Sequence, residues 1–263
     1  MKLNKLMFAA MATFALVVQP VYAVVTAQTA SAASGDTIVS PDNMNGWYTT
    51  ANSGGAATFV LASSPLGHGA LQLSTVNSNS SDVRAAKTSG VNIPVASLTE
   101  LSYDAKVLST LAPASVNASF RLGIDLDNNG TEDKPLVYET YYNLTYVNAA
   151  SANATNTSDW QTWDVKNGKF WGAWNGGGGY DTNQTLAEAT AGYPDAKIVR
   201  MSLGLGSYNP TSQVLVDNVR VNGQSVDFEA TIVATNVTTG AVYGALQDAI
   251  DAATAGNVIR LER

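Results

Sequence analysis

The chain has 263 residues, no cysteine, and 21 acidic against 14 basic side chains, which gives a formal net charge of −7 at pH 7. This acidic balance argues against DNA or RNA as a partner, because affinity for nucleic acids depends largely on lysines and arginines that neutralise phosphates. Exported domains often rely on disulfides, so a chain without cysteine must take its stability from a packed core, with bound ions as a further source.

The first 32 residues have the pattern of a targeting signal. A positively charged start precedes an apolar run from Leu6 to Val18, and small-residue cleavage sites end at Ala23 and at Ala32. The run is about 13 residues long, whereas a membrane-spanning helix needs ~20. We therefore expect a signal peptide over 1–32 and a mature chain without a membrane span. The expected location is secreted or at the cell surface, and the alternative is a retained anchor.

Apolar and β-branched stretches recur along the chain, separated by turns rich in Asn, Gly, Ser and Thr. Several alternate with period two; in the stretch SFRLGID, the residues Phe120, Leu122 and Ile124 share one face. This spacing predicts a mostly β fold, with an antiparallel β-sandwich over 33–229 and a short helix at 186–192. The predicted strands cover 57–61, 70–73, 98–107, 116–124, 136–146, 198–205, 214–221 and 225–228.

The stretch GIDLDNNGTEDKPLVYE, from Gly123 to Glu139, carries oxygen-bearing side chains on alternate residues between two predicted strands. Such alternation lets several ligands converge on one hard cation where the backbone turns sharply, and Gly130 permits that turn. In the spacing of an EF-hand loop, the candidate calcium ligands are Asp125, Asp127, Asn129, the carbonyl of Thr131, and Asp133.

This acidic loop departs from an EF-hand in two ways. Leu136 stands where the bidentate Glu belongs, and strands instead of helices flank the loop. One interpretation is a structural calcium loop between strands; the other is a metal-free hairpin turn made from Asn and Gly. Because three carboxylates that converge without a counter-ion repel one another, we predict bound Ca²⁺.

Four tryptophans lie close together in the stretch DWQTWDVKNGKFWGAWNGGGGY. Exposed flat rings stack on sugar faces, so the cluster can form a glycan platform; the alternative is that most of these rings fill the core. Alternation along a strand places Trp160 and Trp163 on opposite faces, so at least one is expected in the core. The predicted ligand-binding rings are Trp174 and Tyr180 beside the glycine run 176–179, together with Trp171.

Catalysis finds little support in the sequence. His68 is the single histidine, and no sequence signature of a metalloprotease, serine hydrolase or phosphate-binding loop occurs. A glycosidase needs only two carboxylates, and counting alone does not exclude Glu100, Glu139 and Glu188, but solvated or structural roles are the favoured interpretation of all three. We therefore predict no catalytic residues.

The pattern changes after residue 230. Leu246, Ala249, Ile250 and Ala253 fall at helical spacing, Gly256 stands at a C-cap position, and an apolar stretch begins at 258. This helix and strand resemble the opening of a right-handed parallel β-helix domain of the pectate-lyase type, where a short helix caps the first coil. We expect 230–263 to be a linker and the start of a truncated β-helix. The alternative is an amphipathic helix that packs on the sandwich.

Residues 44–229 resemble an uncharacterised β-sandwich module of secreted bacterial surface proteins. The blocks that carry the resemblance are GW at 46–47, HGALQLST at 68–75, LSYDAKV from 101, IDLDNNG, LVYE at 136–139, DWQTWD, and DNVRV followed by VDFE. The resemblance implies a jelly roll of the carbohydrate-binding type whose first and last strands lie together. It brings no known catalytic residues, and FWGAW stands where such modules often have two adjacent tryptophans.

These observations predict a secreted or cell-surface, non-catalytic recognition or adhesion module with a glycan ligand and a structural calcium. One alternative is a purely architectural module of a longer surface protein. The other is a fragment of a polysaccharide lyase or hydrolase whose active site lies in downstream β-helix coils. Extracellular or cell-wall glycans are the expected partners.

Overall fold

The computed structural model describes residues 36–109, 117–140, 143, 159–172 and 184–262. The predicted signal peptide at 1–32 lies outside them. The described strands are β1 (Thr37–Val39), β2 (Trp47–Asn52), β3 (Ala56–Leu61), β4 (Gly69–Ser74), β5 (Asp82–Lys87), β6 (Ile93–Pro94), β7 (Leu101–Ser109), β8 (Ser119–Asp125), β9 (Lys134–Tyr138), β10 (Gln161–Asp164), β11 (Trp171–Gly172), β12 (Lys197–Leu205), β13 (Gln213–Val221), β14 (Gln224–Phe228), β15 (Ala234–Asn236), β16 (Ala241–Tyr243) and β17 (Ile259–Leu261).

The first sheet of the sandwich is built around β13. This strand pairs antiparallel with β7 along one side, and on the other side with β4 over its first half and β14 over its second half. β3 and β10 extend the sheet beyond β4 and β7. β1 lies parallel to β14, with Thr37 opposite Val226. The first and last strands of the sandwich therefore lie side by side, as the resemblance implied.

The second sheet has the strand order β11-β9-β8-β12-β5-β2, with β6 paired to one end of β12. All of its pairs are antiparallel, and a register shift interrupts the β8–β12 pair between Ile198 and Arg200. The two central strands, β8 and β12, are well suited to this position because Phe120, Leu122, Ile124 and Leu203 are fully buried on one face.

The core lies between these two sheets. Trp47 of the second sheet meets Phe228 of the first edge-on, with ring centroids 5.1 Å apart, and Tyr103 and Phe120 form a second ring contact at 5.6 Å between sheets. Such pairs add to the stabilisation that comes from apolar burial alone. The prediction of a mostly β, antiparallel sandwich is confirmed.

Most predicted strands differ from the observed ones by one to three residues at their ends, and two predicted segments differ more. The strand expected over 136–146 ends at Tyr138, and the Asn143 N–H donates to the Glu139 carbonyl. The rest of the predicted strand, at 141–142 and 144–146, lies outside the described residues. The helix expected over 186–192 is present as α1 (Leu186–Ala189). A reciprocal cap begins α1, since the Thr185 hydroxyl accepts from the Glu188 N–H and the Glu188 carboxylate accepts from the Thr185 N–H.

Residues 230–262, here called the C-terminal unit, form a three-stranded sheet of order β16-β15-β17 and a helix, α2 (Leu246–Ala252). The predicted helix and strand are confirmed. Ala249 is buried inside the unit. The Thr231 hydroxyl donates to Asp42 of the sandwich at 3.2 Å, and Gly244 lies beside Leu61.

The C-terminal unit leaves several large apolar side chains in contact with solvent. They are Leu246, Ile250, Val258 and Leu261. The main contacts of α2 are with β15, β16 and β17 of the same unit, and the packing of this helix on the sandwich stays an alternative prediction. Among the described residues, no helix is long and apolar enough to cross a membrane.

Candidate functional site

The acidic loop lies between β8, which ends at Asp125, and β9. Asn128 and Gly130 have positive φ angles of 60° and 88°, a left-handed conformation that folds the loop back on itself. The loop brings carboxylate oxygens of Asp125, Asp127 and Asp133 within 4.8 Å of one another. Three of the five predicted ligands are thus side by side.

Backbone N–H groups already occupy part of this oxygen cluster. Asp125 accepts from the N–H groups of Asn129 at 3.1 Å and Gly130 at 2.8 Å, and Asp133 accepts from Leu126 at 2.7 Å. The Asn129 side-chain oxygen accepts from the Thr131 N–H at 2.7 Å. Side-chain bonds of this kind also stabilise turns without a metal, so the geometry alone favours neither interpretation.

The loop nevertheless fits a calcium ion in its dimensions. Oxygens bound to one Ca²⁺ at 2.3–2.6 Å are separated by at most about 5 Å, and a carboxylate offers about four acceptor positions. Asp125 therefore retains capacity for a metal after its two N–H bonds. The bidentate ligand of an EF-hand is absent here, because Leu136 is buried in β9 and Glu132 is paired with Arg200 at 2.7 Å.

The predicted aromatic residues have separate positions. Trp163 is buried in the core, whereas the Trp160 indole N–H donates to the Ser63 carbonyl at 2.7 Å, so the expected division between these two rings is observed. Trp174 and Tyr180 lie outside the described residues. Trp171 lies in β11, is partly exposed, and pairs with Val137 of β9.

Trp171 begins a row of residues that crosses the second sheet. Directly paired residues of antiparallel strands share a face, and each residue in this row is directly opposite the next on the neighbouring strand. The row lies on the face opposite the core, here called the outer face. Five inter-strand spacings of ~4.8 Å make it about 24 Å long. Its members, in order, are Trp171, Val137, Arg121, Ser202, Ala86 and Tyr48.

Residues in the middle of the outer face are less accessible to solvent than residues on an open sheet face usually are. Val137, Ser202 and Ala86 are buried, whereas Tyr48 at one end of the row is 42% exposed. Arg84 lies in the neighbouring register, opposite Gly204 of β12, where its side chain occupies the space that a Cβ on Gly204 would need. The outer face therefore presents two arginines between two aromatic rings.

Charges on the outer face influence one another. Arg84 pairs with Asp82 at 2.8 Å. Burial raises the pKa of Glu139, which follows β9, and three groups oppose the rise: a hydrogen bond from the Trp171 side chain and the charges of Arg121 and Arg84. Burial, together with the charge of Arg84, lowers the pKa of Arg121 to about 10. Trp171 is thus held in place by a carboxylate that belongs to the same face.

A partly buried surface with aromatic rings at its ends and charged groups between them can bind a polar ligand that also has apolar faces. Of these residues, Trp171 was predicted from the sequence, whereas Arg84, Arg121 and Tyr48 were not. The signal was present for Arg121, because alternation in SFRLGID places it opposite the buried Phe120 and Leu122. Arginine in the middle of a central strand is uncommon without a specific role.

The three carboxylates considered for glycosidase chemistry have unrelated roles. Glu188 caps α1 and pairs with Lys169 at 3.2 Å. Glu100 accepts from the Gly223 N–H at 3.1 Å, and Glu139 accepts from Trp171. No two of them share a partner among the described contacts.

A second group of buried acids lies near β14. Asp227 and Asp217 are buried, and Glu229 accepts from the His68 N–H at 2.8 Å. Burial raises the pKa of Asp217 to about 8 and that of Asp227 to about 7. Asp217 accepts from the Phe228 N–H at 2.9 Å and the Leu66 N–H at 3.2 Å, which ties the end of β14 to the β3–β4 connection.

No family model matches the chain, and no curated relative matches it. Among solved structures it is similar to the family 11 carbohydrate-binding module of cellulosomal cellulase Lic26A-Cel5E of Clostridium thermocellum, at 15% identity and a TM-score of 0.42, over 69% of this chain and 89% of that chain. It is also similar to a module of family 28 that is specific for non-crystalline cellulose, at 14% identity and a TM-score of 0.33, over 69% and 89%. At TM-scores this low, these likenesses carry no argument on ligand or mechanism.

Proposed function

We propose that this protein is a non-catalytic recognition module that binds a glycan on the outer face of the second sheet. The observation that carries the proposal is the row from Trp171 to Tyr48, in which two aromatic rings flank Arg121 on a floor of buried small residues. The module acts as a secreted or cell-surface protein, after removal of residues 1–32.

The chemistry of this row suits a sugar chain. A sugar ring has an apolar face that packs on an aromatic ring, and it has hydroxyl groups at its edges that accept hydrogen bonds from guanidinium groups. The length of the row, about 24 Å, accommodates several sugar units in an extended chain. Trp174 and Tyr180, which follow β11 in the sequence, are proposed to belong to the same site.

Retention by immobilised polysaccharide tests this proposal with single substitutions. Trp171→Ala and Tyr48→Ala should each weaken retention by roughly tenfold or more. The reason is that packing of a sugar ring on an aromatic side chain contributes on the order of 1 kcal/mol or more. Tyr208→Ala is a matched control, since Tyr208 is an exposed tyrosine in a turn outside the row.

Affinity electrophoresis in gels that contain neutral or acidic polysaccharides provides the measurement. Retention of the wild-type protein and of Tyr208→Ala, with loss for Trp171→Ala, supports the proposal. Unchanged mobility of the wild-type protein in every gel contradicts glycan binding. Equal retention of all three variants contradicts the outer face as the site.

We further propose that the acidic loop holds a structural Ca²⁺. Asp125, Asp127 and Asp133 would supply carboxylate oxygens, and the side chain of Asn129 and the carbonyl of Thr131 would complete the ligand set. The proposal is supported by the convergence of three carboxylates within 4.8 Å of one another. In the described contacts of the loop, their partners are backbone N–H groups, which do not neutralise the negative charge. The ion would join the end of β8 to the start of β9 and would stiffen the connection between these two strands.

An architectural role is the second candidate, and one observation favours it. The C-terminal unit exposes Leu246, Ile250, Val258 and Leu261, although an isolated helix of seven residues has little stability of its own. We propose that this unit is the start of a β-helix whose next coil covers these side chains. In that case the sandwich would be the module that precedes a solenoid domain.

A further inference from the structure

On the outer face, Arg121 carries a guanidinium that pairs with no carboxylate of the described residues. It stands in the middle of β8, between the buried Val137 and Ser202 of the neighbouring strands. Among the described contacts it has no ion pair and no hydrogen bond, and its Nε is buried without a partner. Buried or half-buried arginines in proteins are normally paired, because removing an unpaired charge from water is costly.

Arg84 places a second set of donors beside Arg121. Its Nη2 pairs with Asp82, but its Nη1 is buried without a partner among the described residues. Gly206 lies between the two side chains: a Cβ placed there would be 3.5 Å from Arg84 Nη2 and 3.8 Å from Arg121 Nη2. The two guanidinium groups are therefore neighbours, and glycines at 204 and 206 leave the space that they occupy.

Neither carboxylate of this face forms an ion pair with Arg121 among the described contacts. Glu139 accepts from the Trp171 side chain and forms no ion pair with Arg121 in the described contacts. Asp82 is already paired with Arg84. The face thus carries two arginines and two carboxylates, but only Arg84 and Asp82 form an ion pair among the described contacts. Arg121 lies unpaired in the middle of the row that we propose for the glycan.

We infer that the glycan bound by this face is acidic, and that the carboxylate of a uronic acid unit pairs with the guanidinium of Arg121, with Arg84 as a second donor. This inference rests on the proposed function. A guanidinium presents two parallel N–H groups that match the two oxygens of a carboxylate, and such charge-assisted bonds are stronger than bonds to sugar hydroxyls. The bound carboxylate supplies the counter-ion that the described residues lack.

The net charge of the chain sharpens this inference. At −7, the protein as a whole repels a polyanion, so its overall field cannot attract an acidic polysaccharide. Recognition must instead come from short-range pairing at the arginines. We therefore do not expect the protein to bind every polyanion regardless of its chemical structure.

The experiment compares glycans that differ in one charge. The acidic probes are polygalacturonate and alginate, and the matched neutral probe is methyl-esterified polygalacturonate, which has the same backbone without the carboxylate charge. We expect the wild-type protein to bind at least one acidic probe roughly 10- to 100-fold more tightly than its neutral counterparts, the esterified polymer and a neutral β-glucan. Heparin, in which sulfate groups accompany carboxylates, tests whether any anionic group suffices.

Three variants separate recognition from folding. Arg121→Met retains most of the side-chain length, should lose the preference for acidic glycans, and should melt at the same temperature as the wild-type protein or higher, because it removes an unpaired charge. Arg121→Lys retains the positive charge but lacks the two parallel N–H groups of a guanidinium, so it should retain only part of the preference for acidic glycans. Arg260→Met, an exposed arginine of the C-terminal unit, should behave as the wild-type protein.

The outcomes distinguish this inference from the proposed function. Equal binding of acidic, esterified and neutral polysaccharides overturns the inference and leaves glycan binding intact, whereas retention by none of them overturns both. Binding of heparin without binding of either uronate polymer also overturns the carboxylate assignment. If Arg121→Met lowers the melting temperature by several degrees, the arginine is structural and the inference is wrong.

Discussion

Asp227 is a carboxylate on the side of β14 opposite the buried Phe228, yet it is 1% exposed. One of its oxygens is buried without a hydrogen-bond partner among the described residues. Burial is the main cause that raises its pKa to about 7, and the nearby charges of Glu229 and Asp36 raise it further. Burial also raises the pKa of Asp217, to about 8, although the Phe228 and Leu66 N–H groups donate to it and favour its ionised form.

The raised pKa of Asp227 predicts that the protein loses stability as the pH rises from about 4 to about 7. Between the ordinary pKa of 3.8 and the folded-state value, the folded chain retains a proton that the unfolded chain releases, so unfolding is favoured by increasing pH. The contribution is fully present below this window and absent above it. Asp227→Asn should flatten the dependence and raise the melting temperature at pH 8 by roughly 2–6 °C.

Thermal unfolding followed by circular dichroism between pH 4.5 and pH 8 measures this effect. Asp195→Asn, a change at an exposed aspartate, is the control and should follow the wild-type curve. A residual slope is expected in Asp227→Asn, because the pKa of Asp217 is raised to about 8 and the pKa of Glu229 is raised as well. If the melting temperatures of Asp227→Asn and of the wild-type protein depend on pH in the same way, Asp227 is not the cause of the pH dependence.

Single residues of the core were predictable wherever they alternate with polar ones. Phe120, Leu122 and Ile124 are all fully buried, as their spacing indicates. The same alternation places Arg121 on the opposite face, but it does not reveal which strands lie beside β8. The proximity of Arg84 to Arg121 depends on β12 between them, and such pairing is a property of the whole sheet.

The acidic loop is the element whose local chemistry was best foreseen. Its turn at Gly130 and the convergence of Asp125, Asp127 and Asp133 follow from alternate oxygen-bearing residues. The strand after it was predicted too long, to 146, because the apolar and aromatic residues after Tyr138 resemble a continuing strand. In the structure the Glu139 carbonyl instead accepts from the Asn143 N–H, a local helical bond.

Calcium should stabilise the folded chain through this loop. At a free concentration about 100 times the dissociation constant, binding contributes about 2.7 kcal/mol, which corresponds to roughly 5–11 °C in melting temperature for a domain of this size. Asp127→Ala should abolish most of this rise, since it removes one of three convergent carboxylates.

Differential scanning calorimetry with excess calcium and with chelator measures the shift. Asp195→Ala, at an exposed aspartate distant in sequence from the loop, should show the full rise. Coincident melting curves in calcium and in chelator would favour the metal-free hairpin turn. A full rise in Asp127→Ala would show that calcium binds elsewhere.

At the scale of the molecule, the fold class was predictable and the connections were not. Short strands with turn residues between them indicate a sandwich. They do not indicate that β13 divides its second edge between β4 and β14, since those partners are far apart in the chain. Strands without a clear alternation of apolar and polar residues were not predicted. An example is β2, in which Trp47 is the one buried residue and the others are exposed.

The two-part organisation predicts that the sandwich is stable without the C-terminal unit. The unit contacts the sandwich through Thr231 with Asp42 and through Gly244 beside Leu61, both near the surface. A chain that ends at Ala230 should therefore melt within a few degrees of the full chain. Amide hydrogen exchange in the full chain should show weaker protection in α2 than in β8 or β12.

Thermal unfolding of the shortened and full chains, measured side by side, tests the division. Asp42→Ala in the full chain is the control for the Thr231–Asp42 hydrogen bond, which among the described residues crosses between the two parts. If the shortened chain melts several degrees lower, the C-terminal unit belongs to the sandwich and is not a separate structural body. Strong protection of α2 would lead to the same conclusion.

The pairing of β1 with β14 also sets how the sandwich responds to a pulling force. The two strands are parallel, with Thr37, Ile38 and Val39 opposite Val226, Asp227 and Phe228, and the Glu229 N–H adds a bond to the Val39 carbonyl at 2.8 Å. Tension between the chain before β1 and the chain after β14 slides these strands along each other. All of their hydrogen bonds then share the load, whereas an antiparallel pair pulled from one end opens bond by bond. Forced unfolding is a rate process, and this geometry slows it. A module tethered through both ends while it holds a ligand would thus resist flow.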